Sequence, residues 1–178
     1  FRHQGENNSH FAMIGMATVV DDYPLFYEAV NEKGLGMAGL NFPDNANYQE
    51  VAEDKVNVAS FEFIPWLLSQ CESVAEVKEL CKNLNITNEA FSSDFQPSPL
   101  HWLVADRHES IVLEPLAKGL KVYDNSTGVL TNNPTFDKQL FNLNNYRHLS
   151  PKVSENRFAK ELELETYSRG MGGLGLPG

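Results

Sequence analysis

N-E-K-G-L-G-M-A-G-L-N-F-P, residues Asn31–Pro43, admits two incompatible folds. Gly34, Gly36 and Gly39 stand at the spacing G-x-G-x-x-G, the dinucleotide-binding fingerprint. The same residues also read as a tight turn feeding a small-residue strand, Leu35–Phe42, which Pro43 stops and which carries Asn41 at its end. The fingerprint has physical content only where a helix begins at it, because the pyrophosphate rests on helix N-terminal amides. After Gly39 comes L-N-F-P, which cannot continue as a helix. A second fingerprint, Gly170/Gly172/Gly175 in R-G-M-G-G-L-G, runs straight into Leu-Pro-Gly. Neither context suits a dinucleotide, and the turn-and-strand reading stands.

Outward from this stretch the chain reads as strands, then helices, then strands, then a helix. Upstream, Phe11–Val20 and Leu25–Val30 are apolar strand candidates separated by the turn signal Asp21-Asp22-Tyr23-Pro24. Downstream, Asp44–Asn57 is polar and loop-like. Ala59–Cys71 is strongly apolar and reads as a buried helix with Pro65 near its first turn. Ser73-Val74-Ala75-Glu76 has the S-x-x-E form of a capping box and opens a helix to about Leu84. Asn85–Pro99 reads as a long polar connection. Leu100–Ala105, Ser110–Glu114, Leu120–Tyr123 and Val129–Thr131 follow as short strands, and Thr135 as the cap of a helix through Leu143. This order predicts an α+β fold with mostly antiparallel hairpins rather than alternating βαβ units.

Composition bounds the function. The 178 residues, 42% hydrophobic and 21% charged, make one domain's worth of globular chain. No segment approaches the roughly 18 apolar residues of a membrane span. The net charge of −10 argues against nucleic acid as a partner. An anionic small substrate would need a local apolar pocket or a local cation. The two cysteines do not make a secreted disulfide scaffold, and the sequons at Asn7, Asn85 and Asn125 come with no signal peptide. A cytoplasmic protein is expected. The chain opens on Phe1 and closes on Gly-Leu-Pro-Gly, so a piece of a longer protein is expected.

The residues that carry chemistry are few. Cys71 and Cys81 read as buried thiols acting as small hydrophobes, and their spacing does not suit a zinc pair. His101 reads as a packed, hydrogen-bonded core histidine. Glu161, Glu163 and Glu165 alternate on a solvated face. Tyr23, Phe26 and Tyr27 beside the first turn, with Phe91 and Phe95 in the long connection, fit either core packing or an apolar pocket. Asn41 and Asn132, each close to a proline, fit turn chemistry, or they fit donors to a developing oxyanion.

Asn31–Pro43, L-H-W-L-V-A-D at Leu100–Asp106, G-V-L-T-N-N-P-T-F-D at Gly128–Asp137 and G-M-G-G-L-G-L-P-G at Gly170–Gly178 closely resemble, in that order, segments of the choloylglycine hydrolase family. The resemblance covers essentially the whole chain. It implies the αββα four-layer sandwich of N-terminal nucleophile hydrolases, here incomplete at both ends as a single partial domain over 1–178. It implies cleavage of the amide joining glycine or taurine to a bile acid. In the family an N-terminal cysteine attacks the carbonyl, its own α-amino group is the base, and no cofactor or metal takes part.

Asn41 matches the family's Asn in G-L-N-F-P, and Asn132 matches the first Asn of L-T-N-x-P; the resemblance puts both in the family's oxyanion-stabilising and substrate-positioning set. Tyr23, Leu25, Phe26 and Tyr27 match a loop bordering the steroid pocket, and Phe95 lies where another pocket loop would be. Related penicillin V acylases commonly carry Tyr where this chain has Asn41, so conjugated bile acids are the expected substrates. The family's nucleophilic Cys, two Arg and one Asp have no counterpart in 1–178. Neither Cys71 nor Cys81 has a free α-amino group to replace that nucleophile. The chain alone is therefore expected to be inactive; the alternatives are a penicillin V acylase of the same family or a non-catalytic steroid-binding or structural piece. The family also implies a homotetramer, with Asn144–Leu174 as the candidate assembly segment.

Overall fold

A computed structural model of the chain describes residues 1–6, 8–147 and 158–163. The chain divides into two compact units, Phe1–Phe136 and Asp137–Gly178. Among the described residues, every strand lies in the first. A six-stranded antiparallel sheet is built from β1 (Met13–Val20), β2 (Tyr23–Asn31), β3 (Gly36–Asn41), β6 (Leu100–Ala105), β7 (Ser110–Leu116) and β8 (Gly119–Asp124), in that spatial order. A separate parallel pair joins β4 (Val56–Ala59) to β5 (Leu84–Thr87). The helices of this unit are α1 (Phe63–Leu68) and α2 (Val74–Cys81), and α3 (Phe136–Asn142) begins at its last residue. The α+β class expected from the sequence is the one adopted.

The sheet begins with a two-residue hairpin. Asp21 and Asp22 take φ of 50° and 60°, the left-handed pair that matches the twist of the flanking strands. Val20 faces Tyr23 across it, so β2 starts two residues before the expected Leu25 and absorbs Pro24. The next turn is the opening part of Asn31–Pro43. Gly34 sits at φ 86°, where a side chain would be strained, and its N–H donates to Asn31 O at 2.9 Å.

The buried Asn31 side chain completes that turn. Its Oδ1 accepts from Lys33 N and Leu35 N, both at 3.1 Å. Its Nδ2 donates to Leu68 O at 2.9 Å and Cys71 O at 2.8 Å. Those carbonyls lie at and just past the end of α1, where intrahelical donors run out. One side chain thus ties the β2–β3 turn to the helix layer.

Phe63, Ile64, Trp66, Leu67 and Leu68 of α1 and Val74, Val77 and Cys81 of α2 pack with Met37, Trp102, Val104, Ile111 and Leu113 on one face of the sheet. Ser73 caps α2, its Oγ accepting from Glu76 N at 3.3 Å. The Glu76 carboxylate reaches back to Glu72 N at 2.7 Å, and Asp106 adds a second cap by accepting from Val74 N at 2.9 Å. On the other face Phe42, Val112, Leu130 and Phe136 are buried outside that cluster. Toward β1 this face is open, with Ile14 75% and Met16 65% exposed.

The structure corrects several sequence expectations. The apolar run expected as one helix over Ala59–Cys71 is the end of β4, a 3-10 turn (Ser60–Glu62) and the short α1. Residues expected as loop on either side supply β4 and β5. Their buried asparagines, Asn57 and Asn85, are register partners, and Asn85 Nδ2 donates to Asn57 Oδ1 at 2.7 Å. Polar side chains that satisfy one another inside a sheet look like loop residues in sequence. Val129–Thr131 forms no strand; Leu130 is buried there without a ladder partner. Much of Asn144–Leu174 lies outside the described residues, as do Glu165 and the Gly170–Gly178 motif.

Candidate active site

A cleft of about 540 Å³ opens beside β3 and the start of β6. Asn41 and Asn132 both line it, as do Leu25, Phe26, Tyr27 and Phe95. With Phe91, which also lines it, seven of the residues singled out in sequence are therefore brought together by the fold. Among the described residues, no Asp, Glu, Lys, Arg or His belongs to its lining. No hydrogen bond among the described residues takes up either the Asn41 or the Asn132 side-chain amide.

Strand geometry explains the placement. Met37, Gly39 and Asn41 alternate toward the helix-covered face, and Asn41 lies at the strand end, past the reach of α1. Gly39 forms part of the floor. A Cβ there would sit 3.4 Å from atoms of Leu100 and of the Trp102 indole, so a larger side chain would fill the cleft. The loop carrying Asn132 is tied to the turn after Asn41: Asn45 Nδ2 donates to Asn133 Oδ1 at 2.9 Å and to Pro43 O at 3.0 Å.

The wall is aromatic. Phe61 and Phe91 meet edge to face with ring centroids 5.3 Å apart, and Phe91 meets Phe95 at 6.3 Å. Tyr23, expected at the pocket, stands behind this wall. Its ring contacts Phe61 at 6.1 Å and Phe91 at 5.5 Å, and it does not line the cleft. Burial, with the Glu62 carboxylate nearby, pushes its phenol up to about 12. Arg2 holds the same wall by donating to Ala90 O at 2.6 Å and Phe91 O at 2.7 Å. Tyr48, pushed up to about 12 by burial, fixes the opposite rim: its hydroxyl donates to Ser98 O at 2.6 Å and accepts from Leu100 N at 3.0 Å. Thr18 joins the lining through a 2.5 Å bond with the Tyr27 hydroxyl.

Phe61 and Ser60 are lining residues that sequence reading missed, because they sat inside the run taken for a helix. Cys71 and Cys81 are buried and free, and burial pushes their thiols up to about 11 and about 12. A thiol held neutral and out of reach of substrate is no nucleophile. Among the described residues no cluster of His, Cys, Asp and Glu is placed to hold a metal. None of their helices is long and apolar enough to cross a membrane.

The sequence profile of the linear amide C–N hydrolases, choloylglycine hydrolase family, matches residues 1–178. The chain belongs to this family. It is 57% identical over its whole length to a bile salt hydrolase/transferase of Lactiplantibacillus plantarum, 55% of which it covers. It is 43% identical over 97% of its length to a bile salt hydrolase/transferase of Clostridium perfringens, covering 53% of that protein. The chain thus spans about half the length of the curated family members it matches. A crystal structure of a conjugated bile acid hydrolase variant from Clostridium perfringens superposes on 94% of the chain with a TM-score of 0.85 at 42% identity, and 52% of that chain is covered. Penicillin V acylase from Agrobacterium tumefaciens is more distant, with a TM-score of 0.55 at 26% identity over 68% of the chain. The chain shares the N-terminal nucleophile hydrolase fold of these neighbours.

Proposed function

We propose that the full-length protein is a bile salt hydrolase, cleaving the amide of glycine- or taurine-conjugated bile acids. The observation that carries the reading is the cleft itself. An aromatic wall and two asparagine amides, uncharged and unengaged among the described residues, meet in one cavity of a chain whose net charge is −10. The wall suits a rigid apolar steroid body, and the amides suit the carbonyl oxygen of the bond to be broken.

Both cysteines of residues 1–178 are buried, so the nucleophile comes from outside this stretch. A cysteine thiolate attacks the amide carbonyl, and Asn41 and Asn132 donate to the oxygen as it takes up negative charge. The C–N bond breaks as the cysteine's α-amino group, which took the thiol proton when the thiolate formed, passes that proton to the departing nitrogen of glycine or taurine; water then hydrolyses the thioester, freeing the bile acid and restoring the thiol. Leu25, Phe26, Tyr27 and Phe95 hold the steroid, and Tyr23 supports them through Phe61 and Phe91. No metal or cofactor enters these steps. The enzyme works in the cytoplasm as a homotetramer. Exposed Phe141 and Phe158, at 77% and 88%, offer apolar area in the second unit for assembly.

The test is release of glycine and taurine from glycocholate and taurocholate by the full-length gene product, with penicillin V as comparison. Faster turnover of the bile salts is expected, and none from the isolated 1–178 chain. Turnover of penicillin V in preference to bile salts would overturn the substrate assignment.

A further inference from the structure

We infer that the buried pair His101–Glu114 is a positioning device that sets the separation of Asn41 and Asn132. The inference rests on the functional reading above. Both side chains are fully buried, on the sheet face away from the cleft. The Nδ1–H of His101 donates to Glu114 Oε1 at 3.3 Å, a tautomer assigned from that carboxylate. His101 Nε2 and Glu114 Oε2 have no partner among the described residues.

Each member of the pair grips one of the two asparagine-bearing segments. Phe42, the residue after Asn41, points to the opposite face of β3 and lies flat on the His101 ring, with centroids 4.2 Å apart and planes 7° from parallel. His101 is itself the cross-strand neighbour of Leu40, the residue before Asn41. On the other side, Glu114 Oε1 accepts from Phe136 N at 2.8 Å. That bond anchors the chain four residues beyond Asn132. One carboxylate oxygen therefore joins the strand end carrying Asn41, through His101 and Phe42, to the loop carrying Asn132.

A buried ionisable pair with unsatisfied atoms is a poor way to gain stability, since apolar side chains of equal volume commonly do as well or better. What such a pair supplies is a directional link, and here both ends of the link are residues that carry a cleft amide. Two donors to one oxygen act together only if their spacing is held, and a misplacement of about 1 Å at a reacting centre costs on the order of 100-fold in rate.

The experiment uses the full-length protein and its turnover of glycocholate, with kcat expressed per competent site by thiol titration of the nucleophile. Glu114→Ala is expected to lower kcat about 10- to 100-fold, with KM changed less than about threefold. Glu114→Gln, which keeps an acceptor for Phe136 N–H, is expected to recover most of that loss. If Glu114→Ala does not fold, Phe42→Leu decides, because it removes the stack on His101 and keeps apolar bulk; it should lower kcat with KM unmoved. Unchanged kcat per titrated site in whichever variant folds overturns the inference, as does a loss that Glu114→Gln fails to relieve. The side-chain amide NMR signals of Asn41 and Asn132 give a readout independent of activity. Both should shift in the variant that folds and stay fixed in the surface control Lys82→Ala. An inactive wild type with paired amide shifts would sink the bile salt reading and leave the link standing, while unshifted amides would sink the link.

Discussion

Replacing Asn31 tests whether one side chain joins the β2–β3 turn to the helix layer. Asn31→Ala removes hydrogen bonds to Lys33 N, Leu35 N, Leu68 O and Cys71 O. Leu35, Leu68 and Cys71 are buried, so three of these backbone groups lose their partner where water does not readily replace it. At about 1–3 kcal/mol for each stranded group, the expected loss is on the order of 4 kcal/mol. Against a total stability of about 5–15 kcal/mol, that is a large fraction.

Asn31→Asp sharpens the test. The shape is kept and Oδ1 still accepts from Lys33 and Leu35. The second oxygen, however, would face the Leu68 and Cys71 carbonyls at the distances now held by Nδ2, 2.9 and 2.8 Å. At neutral pH that places a buried carboxylate against two acceptors, so Asn31→Asp should be at least as damaging as Asn31→Ala. Its folded-state pKa must then lie above the unfolded value, so the deficit should shrink on acidification and grow as pH rises through the folded value. Urea unfolding of the full-length protein at pH 5 and pH 8 measures both. A loss under about 1 kcal/mol for Asn31→Ala, or Asn31→Asp more stable than Asn31→Ala at pH 8, refutes the reasoning.

Gly15→Ala should destabilise by about 2 kcal/mol or more, read as a lower unfolding midpoint, because a Cβ there would lie 2.1 Å from Glu28 O and force β1 off β2. Native protein should protect Cys71 and Cys81 from iodoacetamide at pH 8, since burial raises both thiols to about 11 and about 12; peptide mapping reads this. Asp106 has a lowered pKa, chiefly because it accepts from Val74 N. Its capping contribution is present above the unfolded value of about 3.9 and lost as pH falls through the folded value, so Asp106→Asn should flatten the acid limb of a stability–pH curve. In the full-length enzyme, Asn41→Ala or Asn132→Ala should lower kcat about 10²–10³-fold on glycocholate, whereas Phe95→Ala should mainly raise KM.

Where sequence and structure agree, a local signal had a local cause. Asp21-Asp22 and Gly34 marked turns because the backbone there needs left-handed φ. Ser73 and Glu76 marked the start of α2 because that end needs caps. His101 read as a hydrogen-bonded core residue and is one, though its tie to Phe136 through Glu114 depends on segments distant in sequence. β4 and β5 were illegible because Asn57 and Asn85 satisfy each other only once the strands pair. The run through Phe61 was read as helix because a continuous apolar run has no period to separate strand, turn and helix. The asparagines were ambiguous by pattern, since Asn beside Pro is also turn chemistry. Resemblance selected them, and folding brings them to one cleft.

Under the proposed function, a cleft to which the described residues contribute no charge, in a chain of net charge −10, would divide the work of a hydrolase in a particular way. The average field repels an anionic conjugate, but at physiological salt the screening length is about 8 Å, so that repulsion is weak beyond a few contacts. On the proposed bile salt reading, affinity would then come from apolar area against Leu25, Phe26, Tyr27 and Phe95. This contact is the same in ground and transition states, because the steroid body does not change during the reaction. Uniform binding of that kind sets KM and leaves kcat alone. In the proposed reaction the amides of Asn41 and Asn132 would act on the one atom whose charge does change, so their contribution would grow along the reaction coordinate and appear in kcat. The sheet supports both roles from one strand end. Gly39 leaves room beside Trp102, and two residues later Asn41 lines the same cleft. The glycine spacing that looks like a phosphate cradle in sequence is accounted for by a turn at Gly34 and a bare cleft floor at Gly39.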